Sequence, residues 1–195
     1  MKKILVVDFG SQYTQLIARR LRELSVYSEV CPWDEIPVFD DVEGFILSGG
    51  PESSNIEGNP TIDSLIFNSD KPILGICYGM QVLAHQEDGQ IINEGKKEFG
   101  YAKINIKADT VLFKNISDSL DVWMSHGDKV QSLPDGYAIT ATSDNSPIAA
   151  YENISKKYFG LQFHPEVTHT ENGIAIIKNF LDICGIEQNW SSDDI

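Results

Sequence analysis

Residues 72–81 read Pro72-Ile73-Leu74-Gly75-Ile76-Cys77-Tyr78-Gly79-Met80-Gln81, a short apolar run that ends in a cysteine between two glycines. Residues 73–76 predict a buried strand, and residues 80–86 predict the start of a helix. The Gly-x-Cys-x-Gly pattern between them is typical of a nucleophile elbow with cysteine in the place of serine, because a Cβ atom beside such a turn would collide with neighbouring backbone. Cys77 is therefore a candidate nucleophile, although a buried structural cysteine would also fit this pattern.

The bulk composition indicates one soluble globular domain. The chain has 195 residues, of which 42% are hydrophobic and 23% are charged, which is enough for a substantial core. Its 15 Lys and Arg against 29 Asp and Glu give a net charge of −14. Most of the surface would therefore repel nucleic acid or an anionic membrane.

The sequence contains no targeting or membrane-spanning pattern. Only the four apolar residues 4–7 precede Asp8, whereas the apolar core of a signal peptide needs about seven or more. Three cysteines, an odd number and far apart in the chain, do not suggest a disulfide framework or a zinc site. We expect a cytoplasmic protein that holds no metal.

Strands and helices alternate in the first half of the chain. Strands are predicted at 3–7, 27–30, 44–48 and 73–76, and helices at 12–24, with Ser11 as N-cap, and at 61–68. This order predicts a parallel sheet with helices on its faces and functional sites at the carboxyl ends of the strands. Gly49, Gly50 and Cys77 all lie at such ends.

The second half has the pattern of an antiparallel excursion. Short strands are predicted at 90–93, 101–107, 111–113, 122–124, 138–142 and 148–151. A further strand at 158–163 and an amphipathic helix at 173–184 follow. We expect one domain over residues 1–189, and a tail or linker without a packing pattern over residues 190–195.

A histidine and a glutamate follow the late strand. In an extended segment, side chains two residues apart point the same way, so His164 and Glu166 share a face while Pro165 stiffens the backbone between them. A carboxylate there can hold one imidazole nitrogen and leave the other to face a nucleophile. Together with an elbow cysteine, this pair indicates nucleophilic catalysis.

Three motifs, together with their order in the chain, resemble the class I (triad) glutamine amidotransferases. They are Ser48-Gly49-Gly50-Pro51, Gly75-Ile76-Cys77-Tyr78-Gly79-Met80-Gln81 and Gln162-Phe163-His164-Pro165-Glu166. Residues 8–20, 98–102 and 123–128 look like one branch of that family in particular. The resemblance covers essentially the whole chain and implies an α/β fold with a mostly parallel central sheet, helices on both faces and a small antiparallel sheet.

The resemblance implies a role for each site residue. Cys77 would attack the side-chain amide of L-glutamine, His164 would act as general acid and base, and Glu166 would orient it. The backbone N–H groups of Gly50 and Tyr78 would form the oxyanion hole. The amino-acid end of glutamine would be held by Gln81, Ser125, His126, Gly127 and Asp128.

The same branch supplies its ammonia to an ATP pyrophosphatase domain that aminates XMP to GMP. This sequence contains no Ser-Gly-Gly-Val-Asp-Ser nucleotide motif, so we expect ATP and Mg²⁺ only in that other domain and no cofactor in this chain. The chain would be an excised domain or a separate subunit. Residues 85–89 are less apolar than in relatives, so the resemblance does not predict the turn at this point.

Three alternatives stay open. The chain could serve another synthase, such as anthranilate synthase, although residues 8–20 and 123–128 argue against this. It could hydrolyse γ-glutamyl peptides, because that chemistry uses the same elbow. It could also be a silent glutamine-binding module, which the presence of Cys77, His164 and Glu166 disfavours. The residues alone also allow His126 to be an ordinary solvated loop histidine.

Overall fold

The computed structural model describes residues 1–50, 59–93, 97–108 and 110–191. Pro51 of the glycine motif and residues 192–195 of the expected tail lie outside the described residues. The elements are β1 Lys3–Asp8, α1 Thr14–Glu23, β2 Ser28–Pro32, β3 Val42–Leu47, α2 Ser64–Phe67, β4 Ile73–Ile76, α3 Tyr78–Gln86, β5 Gln90–Ile92, β6 Glu98–Ile106, β7 Ser119–His126, β8 Lys129–Ser132, β9 Ala138–Thr142, β10 Ala150–Asn153, β11 Tyr158–Leu161 and α4 Gly173–Cys184.

One large sheet organises the molecule, with strand order β2-β1-β3-β4-β11-β10-β9-β6-β7. Strands β2, β1, β3, β4 and β11 are parallel, and the remaining pairs are antiparallel. Strands β5 and β8 form a separate two-stranded antiparallel sheet. The predicted α/β class is confirmed. The expected small antiparallel sheet is present as β5 and β8, and the other strands of the antiparallel excursion extend the large sheet.

Helices cover both faces of the parallel strands. Along β1, Ile4 and Val6 pack into a core with α1 and α4, whereas Leu5 and Val7 pack into a second core with α2 and α3. Side chains alternate between the faces of a strand, so a strand covered on both faces is apolar at every position. This explains the unbroken apolar run at the start of the sequence.

Two strand assignments differ from the sequence-based expectation. Residues 111–113 form a turn, in which the N–H of Lys114 donates to the carbonyl of Val111. Leu112 and Phe113 are both buried, although consecutive residues of a strand would face opposite sides. Strand β8 was not predicted, because its short sequence Lys-Val-Gln-Ser has only one apolar residue.

The prediction that Ser11 caps α1 is wrong. The helix begins at Thr14, and its N-cap, Tyr13, makes no side-chain capping bond. The hydroxyl of Ser11 accepts a hydrogen bond from the N–H of Tyr13 at 2.9 Å, inside a turn that precedes the helix. Gly10, with φ 102°, starts this turn, so the chain needs several residues to leave β1 before the helix can form.

The carboxyl-terminal segment packs further than its sequence suggested. The N–H of Trp190 donates to the carbonyl of Ser25 at 2.8 Å, and its ring centroid lies 5.8 Å from that of Tyr27. The domain boundary itself stays a prediction. Across the described ranges, the structure contains no helix of sufficient length and apolar character to cross a membrane.

Candidate active site

Cys77 lies at a strained turn between β4 and α3. Its φ and ψ of 55° and −109° are unusual for a residue with a side chain. A Cβ atom at Gly75 would lie 2.6 Å from the carbonyl oxygen of Gly79, and one at Gly79 would lie 2.5 Å from that of Leu47. The backbone approaches itself so closely that only glycine fits on either side, as the elbow pattern predicts.

Hydrogen bonds to the neighbouring strands hold this turn. The N–H of Cys77 donates to the carbonyl of Leu161 in β11 at 2.7 Å, and the N–H of Gly79 donates to the carbonyl of Ser48 after β3 at 3.1 Å. Because β3, β4 and β11 are adjacent and parallel, their carboxyl ends place the glycine loop, the cysteine and the segment 162–166 at one edge.

His164 and Glu166 form a buried pair behind the cysteine. The Nδ1 atom of His164 lies 3.3 Å from Oε2 of Glu166. The ring of Tyr13 packs edge-on against the imidazole, with centroids 5.1 Å apart. Burial lowers the pKa of His164, but the carboxylate of Glu166 and the sulfur of Cys77 outweigh burial and raise this pKa well above its usual value. The site therefore favours an imidazolium.

The sulfur of Cys77 has two further polar neighbours. The carbonyl oxygen of Ser125 lies 3.4 Å from Sγ, where it can accept a hydrogen bond from the thiol. The Nε2 atom of Gln162 lies 3.7 Å from Sγ. The antiparallel strand β7 thus reaches the cysteine through Ser125, although it lies at the far edge of the sheet.

A cavity of about 300 Å³ opens in front of the cysteine. It brings together most of the predicted site residues, namely Gly50, Cys77, Tyr78, Gln81, Ser125, His126 and His164. Three predicted residues do not line it: Glu166 lies behind His164, and Gly127 and Asp128 follow the lining part of their loop.

One wall of this cavity consists of residues that were not predicted from the sequence. Residues 10–13, in the loop after β1, line it together with Gly49. The order of the strands in the sheet would have predicted residues 10–13. Strand β1 is the parallel neighbour of β3, so its carboxyl end lies at the same edge. Sequence alone does not give that order.

Gly50 and Tyr78, the two residues expected to form the oxyanion hole, both line the cavity. Gly50 does not have a positive φ. A Cβ atom there would lie 2.8 Å from the carbonyl oxygen of Phe9 and 3.0 Å from Cδ1 of Tyr78, so close packing is the reason for glycine. Tyr78 is the first residue of α3, and its N–H therefore has no partner within the helix.

The loop after β7 is held by side chains on both sides. His126 is only 5% exposed, so it is not a solvated loop histidine. Its Nδ1 lies 2.8 Å from the carbonyl oxygen of Asp128, and its Nε2 lies 2.7 Å from Oε1 of Glu98. Burial raises the pKa of Glu98, but the interactions with His126 and the hydroxyl of Ser146 outweigh burial and lower it.

Gln81 holds the same loop from α3. Its Nε2 donates to the carbonyl of Asp128 at 2.9 Å and to Oε1 of Gln162 at 3.2 Å. Both hydrogens of this amide are therefore engaged within the protein. The loop that the resemblance assigns to glutamine binding is fixed by Gln81, His126 and Glu98.

Comparison with known proteins identifies relatives along the whole chain. A family model described as glutamine amidotransferase class-I matches residues 5–184. The chain is 48% identical to the glutamine-hydrolysing GMP synthase of Vibrio vulnificus, in an alignment that spans 100% of this chain, and 49% identical to that of Pasteurella multocida, with 99% spanned. It covers only 38% and 39% of the length of these two relatives.

Solved structures of other proteins superimpose on this chain. A protein from Thermoplasma acidophilum, described as a candidate GMP synthase subunit, superimposes with a TM-score of 0.84 and 33% identity, over 95% of this chain and 94% of that protein. A glutamine amidotransferase from Thermotoga maritima superimposes with a TM-score of 0.71 over 96% of this chain and 86% of that protein. Its identity of 21% supports a shared fold alone.

Proposed function

The chain belongs to the class-I glutamine amidotransferase family, and from this we propose that it hydrolyses L-glutamine to glutamate and ammonia through Cys77, His164 and Glu166. The observation that carries the proposal is the arrangement of these three side chains. A cysteine on a strained elbow faces a cavity beside a buried histidine, whose Nδ1 atom lies 3.3 Å from a fully buried carboxylate. A silent binding module would not need this arrangement.

In the first half of the reaction, the Cys77 thiolate attacks the side-chain amide carbon of glutamine. The carbonyl π electrons move to oxygen and form a tetrahedral oxyanion. The C–N bond then breaks, and the nitrogen takes a proton from the His164 imidazolium as ammonia leaves. The raised pKa of His164 supports this role, because the imidazole arrives at the step protonated.

In the second half, water hydrolyses the glutamyl thioester. His164, now neutral, takes a proton from water as the water oxygen attacks the thioester carbon. The C–S bond breaks, glutamate is released, and the thiolate and imidazolium return. Glu166 favours the imidazolium in both halves through its negative charge.

We assign the oxyanion hole to the N–H groups of Gly50 and Tyr78. Both residues line the cavity beside Cys77. Donors of this kind contribute about 3 kcal/mol each to the transition state in well-studied hydrolases.

The amino-acid end of glutamine would be held by Gln81 and the loop of Ser125, His126, Gly127 and Asp128. Because both imidazole nitrogens of His126 have partners within the protein, we assign His126 to holding this loop in place. Ser125 lines the cavity and can contact the substrate directly.

We propose that the ammonia serves the amination of XMP to GMP by an ATP pyrophosphatase domain, which would bind the ATP and Mg²⁺. The support is the identity of 48% to a GMP synthase along the whole chain, together with the larger part of that relative's length, which this chain does not cover. The proposed hydrolysis of glutamine, by contrast, uses only side chains and backbone N–H groups of this chain as catalytic groups. The three cysteines are unpaired, which is consistent with the expected cytoplasmic location.

The test is ammonia release from glutamine by the wild-type chain and by Cys77→Ala, with the pyrophosphatase domain of a GMP synthase, ATP, Mg²⁺ and XMP present. We expect the variant to fold normally and to lose nearly all activity, because alanine keeps the Cβ atom in the turn and removes only the sulfur at the cavity. A variant that keeps more than a small fraction of wild-type activity would refute the assignment.

The same assay separates the alternatives. Release of amine from γ-glutamyl peptides at a rate similar to that from free glutamine would favour a γ-glutamyl hydrolase. Stimulation by the partner of anthranilate synthase, and none by the pyrophosphatase domain, would favour service to another synthase.

A further inference from the structure

Gln162 is a side chain without an assigned role that lies against the catalytic sulfur. It is fully buried and directly follows β11. Its Nε2 atom lies 3.7 Å from Sγ of Cys77, within hydrogen-bonding range of sulfur. Its own N–H donates to the carbonyl of Ala149 at 2.8 Å, so its backbone is tied to the neighbouring strand segment. Hydrogen bonding to the sheet therefore holds Gln162 beside the sulfur.

A backbone carbonyl fixes which end of the Gln162 amide faces the sulfur. The carbonyl oxygen of Asp128 can only accept, so the Gln81 atom 2.9 Å away must be its NH₂ group. That NH₂ group also lies 3.2 Å from Gln162, so the Gln162 atom facing it must be the accepting Oε1. A flipped Gln162 would place two NH₂ groups against each other. The Gln162 NH₂ group is thus directed at Cys77.

The two polar neighbours of the sulfur favour different protonation states. The carbonyl of Ser125, at 3.4 Å, can accept from a thiol but offers no hydrogen to a thiolate. The amide of Gln162 can donate, and a charged sulfur is a much better acceptor than a neutral one. Gln162 therefore favours the thiolate, which is the form that attacks.

We propose that Gln162 is a further catalytic residue, whose side-chain amide donates a hydrogen bond to the Cys77 thiolate, and that Gln81 is the positioning residue that orients this amide. The inference rests on the proposed function, in which Cys77 is the nucleophile. The same N–H stabilises the sulfur as it leaves the thioester, when its negative charge returns. Gln162 thus acts on the first and the last covalent steps.

The test is the rate at which iodoacetamide alkylates Cys77 in the folded chain, at a fixed pH where the wild-type rate still rises with pH, with the modified cysteine identified by mass spectrometry. We expect Gln162→Met, which keeps the size but removes the donor, to slow alkylation by about tenfold, the factor expected for losing one hydrogen bond to a charged group. Gln81→Met should slow it less, because the Gln162 amide remains but is no longer fixed.

Gln86→Met is the matched control. Gln86 lies on the same helix as Gln81. Both ends of its side-chain amide form hydrogen bonds with the backbone of Ile62, at 2.7 and 3.0 Å, away from the sulfur. Its loss should lower the free energy of unfolding without slowing alkylation. If Gln86→Met slows alkylation as much as Gln162→Met does, general loosening explains the effect and the proposal is wrong.

A second variant covers the case in which Gln162→Met does not fold. Gln162→Glu keeps the shape and the acceptor for Gln81 but turns a carboxylate oxygen towards the sulfur. We expect its alkylation to be slower than that of the wild type at neutral pH, and the ratio of the two rates to rise towards one at lower pH, as the carboxyl is protonated. Unchanged alkylation in the folded Gln162 variants would overturn the role of Gln162. Persistent glutamine hydrolysis by Cys77→Ala would instead overturn the proposed function and leave the hydrogen bond intact.

Discussion

Local patterns made most of the candidate site predictable at the level of single residues. The glycines around Cys77 and the spacing of His164 and Glu166 are short-range signals, since each follows from the geometry of one turn or one extended segment. The contact between Gln162 and Cys77 was not predictable in this way. It joins residues 85 positions apart and depends on an amide orientation set by Gln81 and Asp128.

Glu166→Gln should move the alkaline limit of activity to lower pH. The Glu166 carboxylate helps to raise the pKa of His164, and the step that we propose for ammonia release needs the protonated ring. Activity is therefore lost as pH rises through that pKa. Without the negative charge, burial of the ring acts against fewer opposing charges and the pKa falls.

The measurements are the pH profile of kcat/KM with the partner domain present, and an NMR titration of the His164 ring in both proteins. If the charge of Glu166 does not act on His164, the pH profile and the NMR titration curve will be the same in the variant and in the wild type.

Gly50→Ala should lower kcat/KM for glutamine by about a hundredfold, the loss typical for one disturbed oxyanion donor. A Cβ atom at this position would meet the carbonyl oxygen of Phe9 at 2.8 Å and the ring of Tyr78 at 3.0 Å, so the loop must shift away from the cysteine. Steady-state kinetics would measure the loss, and thermal unfolding would show that the protein still folds. Unchanged kcat/KM would exclude the Gly50 N–H as a donor.

Helix α1 holds the backbone at Glu166 in place as well as covering the sheet. The Nε atom of Arg20 donates to the carbonyl of Glu166 at 2.9 Å, although the two residues are 146 positions apart. Arg20 also pairs with Glu23, and its side chain is 14% exposed. The helix therefore supports the backbone of Glu166, the residue to which we assign the orienting carboxylate.

Arg20→Met should destabilise the protein by about 1–2 kcal/mol and lower kcat, because a hydrogen bond to Glu166 is lost and the carboxylate is held less firmly. Arg19→Met is the matched control, since Arg19 also pairs with Glu23 but is 68% exposed. We expect the control to change the free energy of unfolding by less than about 0.5 kcal/mol. Urea unfolding and steady-state kinetics measure both effects, and equal effects of the two variants would contradict this role for Arg20.

Secondary structure was predictable where the apolar pattern was long. Helix α4 has the predicted bounds, 173–184, because its buried residues recur with helical spacing. The pattern failed where packing outweighs periodicity: Leu112 and Phe113 are both buried in a turn, and strand β8, which pairs with β5, has Val130 as its only apolar residue.

Across the whole molecule, the site joins the two halves of the sheet. The cysteine and histidine come from the parallel strands, whereas Ser125 and His126 come from β7 at the antiparallel edge. The sequence predicted both halves, but strand order within the sheet depends on long-range pairing that no local pattern encodes.

We predict that the isolated chain is a poor glutaminase and that its partner activates it. Ser125, near the end of β7, reaches the sulfur, and a misplacement of about 1 Å costs on the order of 100-fold in rate. A partner that binds the assembled geometry more tightly would shift the population towards it. Ammonia release by the chain should therefore rise when the pyrophosphatase domain, ATP, Mg²⁺ and XMP are added together. Full activity of the chain alone, with no rise on mixing, would contradict this prediction.

The parallel pairing of β4 with β11 also determines when the enzyme becomes competent during folding. Six strands, β5 to β10, separate these neighbours in the chain, so their contact closes a long loop and forms slowly. A nascent chain that has left the ribosome only as far as β10 contains Cys77 but not His164, the proposed base. On refolding from urea, catalytic activity should therefore return with the slowest kinetic phase, because every faster phase leaves Cys77 without His164.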